Sequence, residues 1–267
     1  MRINNFRLMI IAGHGQGDSG AVGNGHKECD ITRDLADRVV RYALSKGINV
    51  TLYDPNKNAV TQCRQGNTPQ FAGHNYCLEI HCNASSNKEA RGSMFYIHKD
   101  EIGWSVEENI LQRLYKLGST KAWDGVVKTN RQWEEGLIVQ NRCKAQGVSH
   151  GLLETFFITN KEDVDWYFTN RDKIAEEIIL GIIEGFGLTE QEDKYTNWIG
   201  TVKGADLLNV RTGAGMRYGL APIGTVSENV DVEIIGEKEE AAGKVWYHIK
   251  TGSKILGWVY SGYIKRK

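Results

Sequence analysis

The texture of this 267-residue chain changes once, near residue 189, and that change limits what it can fold into. Up to about Leu188, short apolar runs alternate with stretches of helical periodicity. Phe6 to Ala12, Ile48 to Tyr53, Tyr76 to Cys82, Gly92 to His98 and Ser149 to Phe157 read as strands. Between them, Asp30 to Ser45 places Ile31, Leu35, Val39 and Leu44 at helical spacing, with Gly47 as the stop. Ser105 to Leu117 is an amphipathic helix ending at Gly118, and Arg171 to Phe186 is a helix ending at Gly187. Strands alternating with helices predict an α/β unit, with a mixed, largely parallel central sheet flanked by helices.

Beyond that unit, Thr189 to Asn197 is polar, without periodicity, and reads as a linker. Then come Leu207 to Arg211, Asp231 to Ile235, Val245 to Ile249 and Gly257 to Tyr260, short β-rich runs separated by glycine-rich turns. They predict a second, small all-β domain of barrel type. The expected boundaries are 1–188, a linker at 189–198, and 199–267. The run Gly236-Glu237-Lys238-Glu239-Glu240 reads as a solvated turn.

Zero formal net charge, with no basic cluster, argues against nucleic acid as a partner. No apolar run approaches the length of a membrane span. The five cysteines are odd in number and contain no Cys-x-x-Cys pair, which suits reduced thiols. Arg2 and Arg7 flank a short apolar stretch, but no small-x-small cleavage site follows, and cleavage there would remove His14. The expectation is synthesis and retention in a cytoplasm without a signal peptide.

Four residues are candidates for the chemistry, three inside or at the end of predicted strands and one ahead of a predicted helix. His14 sits between Gly13 and Gly15, where the first strand gives way to a loop. His81 shares one face of its strand with Glu79 and Asn83, while Cys82 points to the other, core face. Glu28 stands just ahead of the first helix, where it could be a ligand or simply favour the helix dipole. Glu154 lies among Leu152, Leu153, Phe156 and Phe157, where an unpaired carboxylate is costly. Two imidazoles and a carboxylate make an open zinc site. Converged, they would describe a metal-dependent hydrolase binding one Zn2+ per chain, with Glu154 as general base.

Against this stand plainer readings: hydrogen-bonded core histidines, and Glu154 in a structural ion pair. His26 is a rival ligand, Glu79 a rival carboxylate or a partner orienting an imidazole, and Asn83 a substrate or supporting contact. His26 and His150 have no assigned role. His74, His98 and His248 read as surface or loop residues. In the small domain Trp246, Trp258 and Tyr260, with Tyr247 and Tyr263, either fill a barrel core or line a groove for sugar or peptide.

These motifs resemble the zinc-dependent N-acetylmuramoyl-L-alanine amidases of the amidase-3 family over about Phe6 to Leu188. Gly13-His14-Gly15 with Asp18, Gly20, Ala21 and Val22 is similar to the family's opening motif. Glu28 before Asp30-Ile31, then Ile80-His81-Cys82-Asn83-Ala84, then Glu154-Thr155-Phe156-Phe157-Ile158-Thr159-Asn160 follow in the family's order. Two departures stand out: Glu79 replaces a small polar residue, and Asp54 to Asn75 lacks the usual arginine-containing helix. Leu208-Asn209-Val210-Arg211-Thr212-Gly213 and Gly257-Trp258-Val259-Tyr260 resemble a bacterial SH3-like wall-binding domain.

The pair of domains resembles a phage endolysin. It implies a peptidoglycan hydrolase cutting the bond between N-acetylmuramic acid and L-alanine, released through a holin-type membrane lesion. The alternatives are a zinc peptidase cutting the stem peptide, a sporulation or mother-cell-lysis autolysin, and a catalytically dead wall-binding protein.

Overall fold

The computed structural model describes residues 1–129, 137–189, 197–240, 243–252 and 254–267. They form two compact units, one from Phe6–Ala43 and Ile48–Thr189, the other mainly from the residues after Thr189. Among the described residues, no helix is long and apolar enough to cross a membrane.

In the first unit the elements run β1 (Arg7–Ala12), β2 (Val22–Gly23), β3 (His26–Lys27), α1 (Glu28–Ser45), β4 (Asn49–Leu52), α2 (Ala59–Arg64) and β5 (Tyr76–Asn83). They continue with β6 (Ser93–Ile97), α3 (Ser105–Lys116), β7 (Lys121–Lys128), α4 (Ile138–Ala145), β8 (Ser149–Phe157) and α5 (Lys161–Gly185). The six-stranded sheet has the order β4-β1-β5-β8-β6-β7. All neighbours run parallel except β8 and β6. Its central strands are buried almost end to end because both faces are covered, as parallel sheets require. On one face Met9, Ile11 and Cys77 pack with Cys63 of α2 and Val139 and Cys143 of α4. The carboxyl ends of β1, β5 and β8 open onto a cleft lined from that same side.

Several elements depart from the sequence reading. Helix α1 starts two residues early, so Glu28 is its first residue rather than a residue ahead of it. Asp54 to Asn75 does contain a short helix, α2, ending in Arg64. Asn58 caps it, accepting from the Thr61 N–H at 3.0 Å. Helix α5 begins at Lys161, because Asn160 accepts from the Asp163 N–H at 3.0 Å. Asp163 in turn accepts from the N–H groups of Gly92 (2.7 Å) and Phe157 (2.9 Å). Strand β7 escaped notice because Trp123 and Gly125, both at positive φ, interrupt its alternation.

The second unit is a seven-stranded antiparallel sheet. Its strands are β9 (Trp198–Val202), β10 (Leu207–Arg211), β11 (Leu220–Ser227), β12 (Asp231–Glu239), β13 (Val245–Thr251), β14 (Lys254–Tyr260) and β15 (Ile264–Arg266). Val202, Val210, Ile234, Ile249 and Val259 make its core. The charged run expected as a turn continues strand β12 as far as Glu239. His248 lies in β13, not in a loop, and its ring stacks on Trp258 at 4.6 Å. Most of the expected linker, residues 190–196, lies outside the described residues.

Candidate metal centre

Each group at the cleft is held by a different element. His14 follows β1 with φ of 65°, a left-handed conformation that is uncommon away from glycine. Arg33 of α1 fixes this turn. Its guanidinium donates to the carbonyls of Gly13 (3.1 Å), His14 (3.0 Å), Cys29 (3.0 Å) and Pro55 (2.9 Å). A side chain on Gly13 would collide with the His81 ring, and one on Gly20 with Glu28 and His14. Both glycines are needed for close approach.

Glu28 is the hub. Its Oε1 accepts from the Cys82 N–H at 2.8 Å and lies 3.0 Å from His81 Nδ1. Its Oε2 accepts from the Ala21 N–H at 2.9 Å and lies 3.1 Å from His14 Nε2. The far nitrogen of each imidazole meets another carboxylate: Asp18 Oδ2 is 2.9 Å from His14 Nδ1, and Glu79 Oε1 is 3.2 Å from His81 Nε2. Candidate ligand atoms of His14, Glu28 and His81 all lie within 4.8 Å of one another.

Electrostatics follow from this packing. Burial alone would raise the Glu28 carboxyl, but hydrogen bonds from His14 and His81 hold it well below the usual range. Burial would lower both histidines; Glu28 with Asp18 raises His14, and Glu28 with Glu79 raises His81 well above its ordinary value. Glu154 lies opposite His81 in the β5–β8 register. Its Oε2 is buried and meets no hydrogen-bond partner among the described residues. Burial pushes this carboxyl up to about 7; His81 and His14 oppose the rise, and Glu28 and Glu79 add to it.

Of the sequence candidates, His14, Glu28 and His81 come together, with Glu154 lining the same cleft of about 470 Å³. Asn83 also lines it, its Oδ1 accepting from the Ala84 N–H at 2.8 Å. Glu79 contacts His81 from outside the three. His26 does not join them: it belongs to the β2–β3 hairpin and its ring packs 4.5 Å from Phe168. In the second unit Trp246 and Trp258 are buried with Ala214, and Tyr260 packs beside them. Trp246 and Tyr260 also line a groove there with Tyr263, whereas Trp258 does not. Sequence reasoning missed Arg33, Asn58 and Arg64. Asn58 donates to Asp18 Oδ2 at 3.1 Å, and Arg64 lines the cleft. Nothing in a lone helical arginine signals that it grips a ligand-bearing turn.

The donor set suits a zinc ion: two imidazole nitrogens and one carboxylate, tightly grouped and backed by further carboxylates. Residues 8–184, more than half of the chain, match the family profile described as N-acetylmuramoyl-L-alanine amidase (Amidase_3). The chain belongs to this amidase family. Residues 206–265 of this amidase-family chain match the profile of a bacterial SH3 domain.

Probable autolysin PH of Staphylococcus aureus (strain NCTC 8325 / PS 47) is 28% identical over 197 residues, covering 67% of this chain and 38% of that protein. N-acetylmuramoyl-L-alanine amidase LytC of Bacillus subtilis (strain 168) is 29% identical over 181 residues, covering 66% and 34%. The chain thus spans little more than a third of the length of either relative. The CwlD amidase from Clostridioides difficile, solved in complex with the GerS lipoprotein, shares the fold at TM-score 0.55 and 20% identity. That match covers 68% of this chain and 98% of CwlD.

Proposed function

We propose that this chain is a peptidoglycan hydrolase that cleaves the amide between N-acetylmuramic acid and L-alanine. The observation that carries the reading is the convergence of His14, Glu28 and His81, with the Glu154 carboxylate in the same cleft. His14, Glu28 and His81 would hold one Zn2+. When bound, the ion polarises the scissile carbonyl and makes water acidic enough to attack near neutral pH. Glu154 takes the proton of the attacking water and passes it to the departing amine. Its Oε2, which meets no hydrogen-bond partner among the described residues, is suited to that exchange. Arg33 and the two glycines keep the His14 turn rigid while the substrate binds. Asn83 and Arg64 offer hydrogen bonds to the substrate from the cleft wall.

In this reading residues 1–188 are the catalytic domain and 199–267 the wall-binding domain, joined through 189–198. Tethering by the SH3-like domain raises the local concentration of enzyme on the wall. Tyr260 and the exposed Tyr263 supply aromatic surface to its groove, with the buried Trp246 beneath them. The same reading makes the chain a phage endolysin, kept in the bacterial cytoplasm and released through a holin-type lesion. Its five free thiols suit a reducing compartment.

The test is digestion of purified cell walls, followed by mass spectrometry and amine labelling. New L-alanine amino groups with intact glycan strands are expected, and they should vanish with a chelator and return with zinc. Cleavage inside the stem peptide would replace this reading with that of a zinc peptidase.

A further inference from the structure

His150 and Glu79 take no part in the chemistry above, yet they are among the most buried ionisable residues, at 1% and 3% exposure. The β5–β8 register explains their meeting. Cys77 lies opposite His150 and Glu79 opposite Leu152, so both side chains leave the same face of the sheet. Glu79 Oε2 is 3.0 Å from His150 Nε2, and its Oε1 is 3.2 Å from His81 Nε2.

A carboxylate only accepts hydrogen bonds, so both facing nitrogens must carry a proton. A neutral imidazole carries just one. Zinc at His81 Nδ1, the atom 3.0 Å from Glu28 Oε1, would displace the proton that this nitrogen otherwise gives to Glu28 and leave the remaining proton at Nε2 for Glu79. The opposite tautomer would turn a lone pair against Glu79 and leave a buried carboxylate oxygen without its donor. His150 serves nothing further along: its Nδ1 is buried and meets no hydrogen-bond partner among the described residues. Its one polar contact there is with Glu79.

We propose that Glu79 and His150 form a positioning pair: His150 holds the Glu79 carboxylate, which holds the His81 Nε2 proton so that Nδ1 faces the cation. The pair rests on the metal-site reading above and extends it to His150, which does not line the cleft. It also joins two features that the sequence leaves separate, an unusual glutamate and an unassigned histidine.

The experiment uses the full chain and zinc alone, with affinity read by competition against a chromophoric chelator. His150→Leu and Glu79→Gln should each weaken zinc binding by about 10- to 100-fold. His150→Gln keeps an N–H near the position of Nε2 and should recover most of that loss, which a merely structural role would not predict. A second measurement needs no variant: nitrogen NMR of histidine-labelled, zinc-loaded protein should find His81 protonated at Nε2 and coordinating through Nδ1. Coordination through Nε2, or parental affinity in His150→Leu, overturns the pair while leaving the zinc site standing. A parent that binds no zinc removes the metal reading and the pair together. If the variants fail to fold, the NMR result on the parent decides.

Discussion

The two units handle polar groups in opposite ways. Among the described residues, every buried polar or charged side chain lies at or before Asp163, and all but Asn4 belong to the first unit. The all-β unit buries apolar side chains around Val210, Ile234 and Val259 and leaves its charges outside. Burying a charge is expensive unless it is paired, so such a concentration needs a reason. In part the reason is architectural: Glu107 accepts from Tyr76 at 2.7 Å, and Asp163, in the first turn of α5, ties that helix to the N–H groups of Gly92 and Phe157. The buried carboxylates Glu28 and Glu79 belong instead to one cleft, which the half-buried His81 and Glu154 also line. One unit gathers buried carboxylates at a single cleft, while the other is built on a plain apolar core.

The sharpest way to break this contrast is to remove a group from the reactive cluster. His81→Ala should lose zinc and activity together, seen as metal content below one ion per chain and no amine release from walls. Glu154→Ala should keep zinc but lose turnover by about 10²- to 10⁴-fold. Activity close to the parent's would remove Glu154 as the base.

Next in size is the cost of burying Glu154 itself. Its folded value of about 7 exceeds the ordinary 4.5. A raised carboxyl favours folding below pH 4.5, and that contribution is lost as the pH climbs through 7. In zinc-free protein Glu154→Gln should therefore match the parent near pH 4 and gain about 2–3 kcal/mol above pH 7, measured by urea unfolding. No gain at high pH would show that the carboxylate is not strained there.

A change to the plain core should leave the chemistry alone. Ile234→Ala, at a fully buried position, should destabilise the all-β unit by about 2–5 kcal/mol and reduce wall binding. Turnover of a soluble muropeptide should hardly change. A matching loss on the soluble substrate would mean that the units do not divide labour. The smallest effect is expected from Arg33→Lys, which loses the fork that grips several carbonyls at once. A modest fall in zinc affinity should appear in a chelator titration, with thermal stability nearly unchanged.

Much of this was legible in the sequence wherever one element carried its own signal. Strand β8 ran from Ser149 to Phe157 as read, and the order of helices and strands led to the mixed sheet. His14, Glu28, His81 and Glu154 stood out because each was a polar residue at or near a predicted strand or helix end. Contacts made only by tertiary register stayed hidden. Glu79 and His150 meet because β5 pairs with β8, which neither stretch reveals alone. Arg33 looks like any exposed helical arginine until the His14 turn is folded beneath it. Short helices such as α2, six residues long, carry too few turns for periodicity to register. The charged start of α5 hid an N-terminus defined by the cap at Asn160.

The central claim is most directly tested by an anomalous difference map, recorded at the zinc edge from crystals of the full chain grown with zinc. One peak within bonding distance of His14, Glu28 and His81, beside Glu154, is the predicted result. A peak bound elsewhere, or three side chains that share no ion, would contradict it.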